Sequence, residues 1–184
     1  MLTRQQRVQL LSVARAAIRD RLAGGRAAVP HFADPALDEK RGAFVTLRAA
    51  GELRGCIGLI EPLRPLSETV RLMAVEAARD PRFPPLTLPE LAGVTIEISV
   101  LSPPEKADAP ERITIPGDGV IVRRGPRQGV FLPQVADETG WDRETFLSNL
   151  CFHKAGLPPD AWRDRRTELY TFRAEVFSEA DERR

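Results

Sequence analysis

In the string Leu53-Arg54-Gly55-Cys56-Ile57-Gly58 a single cysteine follows an arginine by two positions and has glycines close on either side. A thiol beside a guanidinium favours the reactive thiolate, and positions without a side chain let a ligand or a second backbone approach closely. Read as a strand with period two, the segment turns Leu53, Gly55, Ile57 and Leu59 one way and Arg54, Cys56, Gly58 and Ile60 the other. Arg54 and Cys56 then share a face, about 6–7 Å apart. On this reading Cys56 is a nucleophile or covalent carrier, Arg54 is its electrostatic partner, and Gly55 and Gly58 leave room for a ligand. Packing supplies the competing reading, because unpaired cysteines are among the most buried residue types and strand glycines often mark only a bulge.

Other polar residues extend the list, each with a structural alternative. Glu97, between Ile96 and Ile98, offers a half-covered carboxylate for proton exchange, or else sits on the solvated face of a sheet. Ser99 shares its face; with no histidine base identified beside it, it suits ligand binding better than nucleophilic attack. In Asp80-Pro81-Arg82-Phe83, Arg82 can grip an anion while Asp80 orients it, or the pair can close a helix exit. Gln134, following a strand, points its amide into a site or satisfies loop backbone. His31 either approaches Cys56 or lies on the surface. Cys151 and His153 are two positions apart on an expected helix, so their side chains diverge by about 200° and cannot readily hold one metal. No metal site is expected.

The elements that must position these groups are legible from periodicity. Thr3 and Gln6 form a capping box before a helix with Val8, Leu11, Ala14, Ile18 and Leu22 on one stripe, ending at Gly24-Gly25. Residues 26–41, interrupted by Pro30 and Pro35, read as an irregular segment that wraps the surface or covers a cleft. Residues 43–48 and 53–60 form a hairpin around Ala49-Ala50-Gly51-Glu52. A helix opening at Pro65-Leu66-Ser67 carries Val70, Met73, Ala74 and Ala77 inward and stops at Asp80 before Pro81. Residues 94–101 alternate cleanly as a strand, 119–123 and 128–132 make a second hairpin, and Asp142 caps a helix that ends at Gly156. Tyr170, Phe172, Ala174 and Val176 form a last strand. Strands in hairpins outnumber helices, which predicts an α+β fold, mainly antiparallel sheet with flanking helices.

Composition narrows the function classes. The chain has 184 residues, 42% hydrophobic and 29% charged, enough for a true core within one compact unit of one or two lobes. A formal net charge of +1 and an aromatic content of 6% give no general field or stacking platform for nucleic acid. The N-terminus has no continuous apolar stretch and no run reaches membrane-spanning length, so a cytoplasmic protein is expected. Two cysteines far apart support neither a disulfide framework nor a zinc site.

Five further strings occur in order around the cysteine motif: Lys40-Arg41-Gly42-Ala43-Phe44-Val45-Thr46-Leu47, Ala77-Ala78-Arg79-Asp80-Pro81-Arg82-Phe83, Ile96-Glu97-Ile98-Ser99-Val100-Leu101-Ser102, Gly129-Val130-Phe131-Leu132-Pro133-Gln134-Val135-Ala136 and Lys154-Ala155-Gly156-Leu157. Together they resemble the AMMECR domain family, whose prokaryotic members are called AmmeMemoRadiSam system protein A. The resemblance implies one AMMECR-like domain over residues 1–184, with a larger and a smaller subdomain. It implies a pathway shared with Memo-type and radical-SAM proteins, while the ligand or catalytic cleft expected around the motif, for an unidentified small molecule, rests on the room left by Gly55 and Gly58. It names no cofactor. A non-enzymatic interaction or regulatory module using the same glycine-rich surface is the alternative. In Gly117-Asp118-Gly119-Val120 an aspartate stands where the family commonly has histidine, which argues against a Cys-His dyad through residue 118.

Overall fold

The computed structural model describes residues 1–25 and 32–182. The chain divides into two compact units, Met1–Leu101 with Glu175–Arg184, and Ser102–Ala174. The first unit begins with α1 (Arg4–Leu22), the short α2 (Pro35–Asp38) and the hairpin β1 (Ala43–Ala49) and β2 (Glu52–Leu59). It continues with α3 (Leu66–Ala77), the one-turn α4 (Leu88–Leu91) and β3 (Val94–Leu101). The second unit holds β4 (Glu105–Lys106), β5 (Gly119–Arg124), β6 (Arg127–Phe131), α5 (Pro133–Thr139), α6 (Arg143–Asn149) and β7 (Glu168–Phe172). The chain then returns to the first unit through β8 (Ala174–Ser178) and α7 (Glu179–Glu182). Two four-stranded sheets result, ordered β2-β1-β3-β8 and β4-β7-β5-β6, and the fold is α+β.

Local chemistry explains most element ends. The Thr3 hydroxyl accepts from the Gln6 N–H while the Gln6 side chain accepts from the Thr3 N–H, satisfying two of the donors that a helix start leaves open. Gly156, at φ +62°, closes the helical segment that runs on from α6 through a π-helical turn at Leu150–Lys154. In the first hairpin both loop residues are left-handed, Ala50 at φ 51° and Gly51 at φ 87°, as a tight two-residue connection demands. Alanine has a steric cost there that glycine lacks. Ala50→Gly is therefore expected to stabilise the protein by about 0.5–1 kcal/mol, a rise of about 2–3 °C in Tm by calorimetry.

The core of the first unit lies between the helices and one face of its sheet. Leu10, Ile18, Leu37, Leu66, Val70 and Ala74 meet Val45, Leu47, Ile96 and Ile98, all essentially inaccessible to solvent. Ala43, Val45 and Leu47 of β1 therefore point inward, and Phe44, Thr46 and Arg48 point to the opposite face. Antiparallel register places Thr95, Glu97 and Ser99 of β3 on that opposite face too. The second unit has its own core around Phe146, Leu147, Leu150, Val120 and Val122.

Two expectations change, and a third is met by the structure only over residues 32–41. The inward face of α1 is wider than the expected stripe, with Leu10, Val13 and Ala17 buried and Val8 exposed. The last strand is two strands in different sheets, broken at Arg173, and burial shifts phase from Phe172 to Phe177, leaving Val176 exposed. Residues 26–31 of the irregular segment, His31 included, lie outside the described residues. The remainder is tied down: Asp34 caps α2 and accepts from the Gln6 side chain at 2.8 Å, while Leu37 fills the core.

Candidate functional site

The hairpin carries a register shift that decides which way the thiol points. From the loop outward Ala49 pairs with Glu52 and Arg48 with Leu53, but Leu47 pairs with Gly55 and Thr46 with Cys56, leaving Arg54 as the extra residue of a bulge. Residues directly opposite share a face, so Gly55 and Ile57 join Leu47 and Val45 on the core side. Cys56 joins Thr46 on the other. Without the bulge Cys56 would stand opposite Val45 and point into the core. A bulge is a known means of re-aiming a side chain and of ending regular pairing beside a site.

The bulge also corrects the expected Arg54–Cys56 pair. Leu53, not Arg54, takes the face of Cys56, and the Arg54 guanidinium turns to Glu90, with Nε 2.5 Å from Oε1, and to the Pro84 carbonyl at 2.9 Å. This ion pair holds the Glu90 carboxyl below its ordinary range. Arg54 thus ties β2 to the loop before α4. The guanidinium beside Cys56 is that of Arg82, whose Nη2 reaches the Cys56 carbonyl oxygen.

Cys56 is half-buried, and its Sγ accepts a hydrogen bond from the Thr46 hydroxyl at 3.3 Å. Its backbone faces outward from the edge of the sheet and is met by two side chains. The N–H donates to Asp80 Oδ2 at 2.9 Å, and the carbonyl accepts from Arg82 Nη2 at 3.2 Å. Asp80 and Arg82 are themselves ion-paired at 2.6 Å, with the Asp80 side chain 1% exposed. The guanidinium and the two backbone N–H groups hold the Asp80 carboxyl far below the usual carboxylate range. Asp80 and Arg82 therefore do close a helix exit, and they brace the cysteine as well.

Glu97 lies opposite Thr46, so Cys56, Thr46 and Glu97 form one row across β2, β1 and β3. Arg48 lies 3.7 Å from the Glu97 carboxylate. The next row is Gly58, Phe44 and Ser99, with Ser99 buried. The space expected over Gly58 is filled: a Cβ there would lie 2.2 Å from the Phe44 ring. Gly55 serves a close approach as well, since a Cβ would meet the Ala77 carbonyl oxygen at 2.2 Å. The two glycines of the motif thus serve packing between elements, one against a ring and one against the end of α3.

In the second unit Gln134 is the second residue of α5. Asp118 is buried, and its Oδ2 accepts the Thr114 N–H at 2.8 Å while Arg173 lies 3.6 Å from Oδ1. The aspartate is thus a turn cap in this chain. Cys151 is fully buried, and burial pushes its thiol up to about 11. Among the described residues no group of three or more His, Cys, Asp or Glu is placed to hold a metal ion, and no helix is long and apolar enough to cross a membrane.

Sequence reasoning missed Thr46 as the partner of the sulfur and Glu90 as the partner of Arg54. Thr46 was accessible only through the true register, which a symmetric two-residue loop misplaces by one. Glu90 lies 36 positions from Arg54, and no local pattern joins them.

The AMMECR1 family model matches residues 11–177. The chain is 45% identical over 186 residues to a protein of Methanothermobacter thermautotrophicus, covering 97% of this chain and 96% of that one. It is 43% identical over 192 residues to protein MJ0810 of Methanocaldococcus jannaschii, covering 100% and 94%. Its structure is similar to the crystal structure of uncharacterized protein PH0010 from Pyrococcus horikoshii, with a TM-score of 0.85 and 44% identity over 95% of this chain and 91% of that one. With the family's strings now placed on the bulged hairpin, the helix exit and the strand beside them, the chain belongs to the AMMECR1 family.

Proposed function

We propose that the face of the first sheet around Cys56 binds a small electrophilic molecule and that Cys56 is its nucleophile or covalent carrier. The observation that carries this reading is the orientation of the thiol. A register shift turns it away from the core, the Thr46 hydroxyl donates to its sulfur, and two charged side chains fix its backbone. A cysteine retained only for packing needs none of these. When Sγ adds to the electrophilic carbon of a C=O or C=N group, the S–C bond forms as the π bond breaks, its electron pair passes to the ligand heteroatom, and that heteroatom takes up the proton the thiol gives away. Glu97, in the same row with its backbone about 10 Å from that of Cys56, is the group for proton exchange with a ligand spanning the row.

The protein works in the cytoplasm in a pathway with a Memo-type and a radical-SAM protein, a reading supported by the system name that the family's prokaryotic members carry. The test is a strain lacking the gene, profiled for metabolites and complemented with variants. Cys56→Ser is expected to restore less than about one tenth of wild-type function, and Glu97→Gln to reduce it about 10–100-fold. Full complementation by Cys56→Ser would make this face a binding or partner surface without covalent chemistry.

A further inference from the structure

We propose that Asp80 and Arg82 form a positioning pair for Cys56, standing in for the strand that β2 lacks on its outer side. This rests on the reading of Cys56 given above. β2 is the edge of the order β2-β1-β3-β8, so alternate residues turn both N–H and C=O away from β1. Cys56 is such a residue. Its N–H goes to a carboxylate and its C=O to a guanidinium, the donor and acceptor pattern that a paired strand would offer.

Two features separate this arrangement from an ordinary salt bridge. First, the carboxylate is used completely: Oδ1 takes the Arg82 N–H at 3.1 Å and Nε at 3.0 Å, and Oδ2 takes the Cys56 N–H at 2.9 Å and Arg82 Nη2 at 2.6 Å. Second, Asp80 is buried beneath the strand while the Arg82 side chain is 57% exposed, so the anion, not the cation, is fixed by the fold. Arg82 is held by the anion in turn, and the Nη2 that donates to Asp80 donates to the cysteine carbonyl as well. Charge-assisted bonds on both sides of one peptide unit suit a residue whose side chain must not wander. The bulge two residues earlier loosens regular pairing at the same point, and the pair restores on the outer side what the bulge removes on the inner.

Amide hydrogen exchange on the full chain, read residue by residue, tests the pair directly. In the wild type the Cys56 amide is expected to be at least about tenfold more protected than other outward amides of β2, although no strand covers it. Asp80→Asn and Asp80→Ala should remove that protection while β3 amides keep theirs, and complementation of the deletion strain should fall at least about tenfold. Arg82→Lys keeps the charge but cannot fork between Asp80 and the Cys56 carbonyl. It should lower complementation with little change in Tm. If the Cys56 amide exchanges equally fast with and without Asp80, the pair does not hold the strand. If protection is lost but complementation is complete, Asp80 and Arg82 are structural only; either result overturns the proposal. Full complementation by Cys56→Ser with the exchange pattern as expected would instead strike the nucleophile reading and leave the brace measured.

Discussion

Gly55→Val is expected to destabilise the protein by about 3 kcal/mol or more, lowering Tm by about 6–12 °C or preventing folding. The reason is the partner of the missing side chain. A Cβ at Gly55 would lie 2.2 Å from the Ala77 carbonyl oxygen, at the end of α3, and 3.5 Å from the Asp80 Cβ. A backbone oxygen at a helix terminus cannot swing aside, so either α3 or β2 must retreat and the core beneath them opens. Gly58→Val makes the useful comparison. Its nearest neighbour is the Phe44 ring, on a half-buried side chain that can rotate toward the surface, and it should cost about 1–2 kcal/mol. Thermal unfolding of the two variants should therefore rank Gly55→Val well below Gly58→Val. The reverse order would show that β2 and α3 are not in the contact described.

Asp80→Ala is expected to cost about 2–4 kcal/mol and to weaken the response of stability to acid. The substitution leaves the Cys56 and Arg82 N–H groups without their buried acceptor. Arg82, largely exposed, can turn to water, which keeps the effect below that of a fully buried pair. The pH dependence follows from the depressed carboxyl. Its folded value lies below the unfolded value of about 3.9, so the stabilisation is complete above the unfolded value and is lost as pH falls toward the folded one. Denaturant unfolding measured from pH 7 down to about pH 3 should show a shallower decline below about pH 5 in Asp80→Ala than in wild type. It will not be flat, because Glu90 and Asp142 are also held below their ordinary range. Parallel declines would mean that Asp80 does not titrate against folding.

Much of the fold was readable because its signals are local. The Thr3–Gln6 box, the alternation of residues 94–101, the Gly51 turn and the Gly156 stop each depend on residues within a few positions of one another. The site was half readable for the same reason. Cys56 was marked by its neighbours, and Glu97 and Ser99 fell on its face once β1 and β3 paired. The partner of Arg54 was not readable, because alternation assumes one residue per step and a bulge breaks that assumption at Arg54 itself. Nor does sequence show what occupies the space above a glycine: Phe44 over Gly58 and Ala77 over Gly55 are tertiary facts. The break at Arg173 is not legible in the sequence, because the alternation of Tyr170 to Val176 runs straight through a change of sheet, and only the burial of Phe177 exposes the shift of phase.

The fold is expected to present Cys56 for reaction and to withhold Cys151, and brief treatment of the folded protein with iodoacetamide near pH 8, followed by mass-spectrometric mapping, distinguishes the two thiols. Cys151 has no accessible surface, and a thiol pushed up to about 11 is ionised in only about one molecule in a thousand at that pH. Cys56 is half-buried on the face away from the core, with its sulfur held by Thr46. Labelling is expected at Cys56 within minutes and at Cys151 only after unfolding. Labelling of Cys151 first, or of neither until the protein unfolds, would show that the fold does not present the Cys56 thiol.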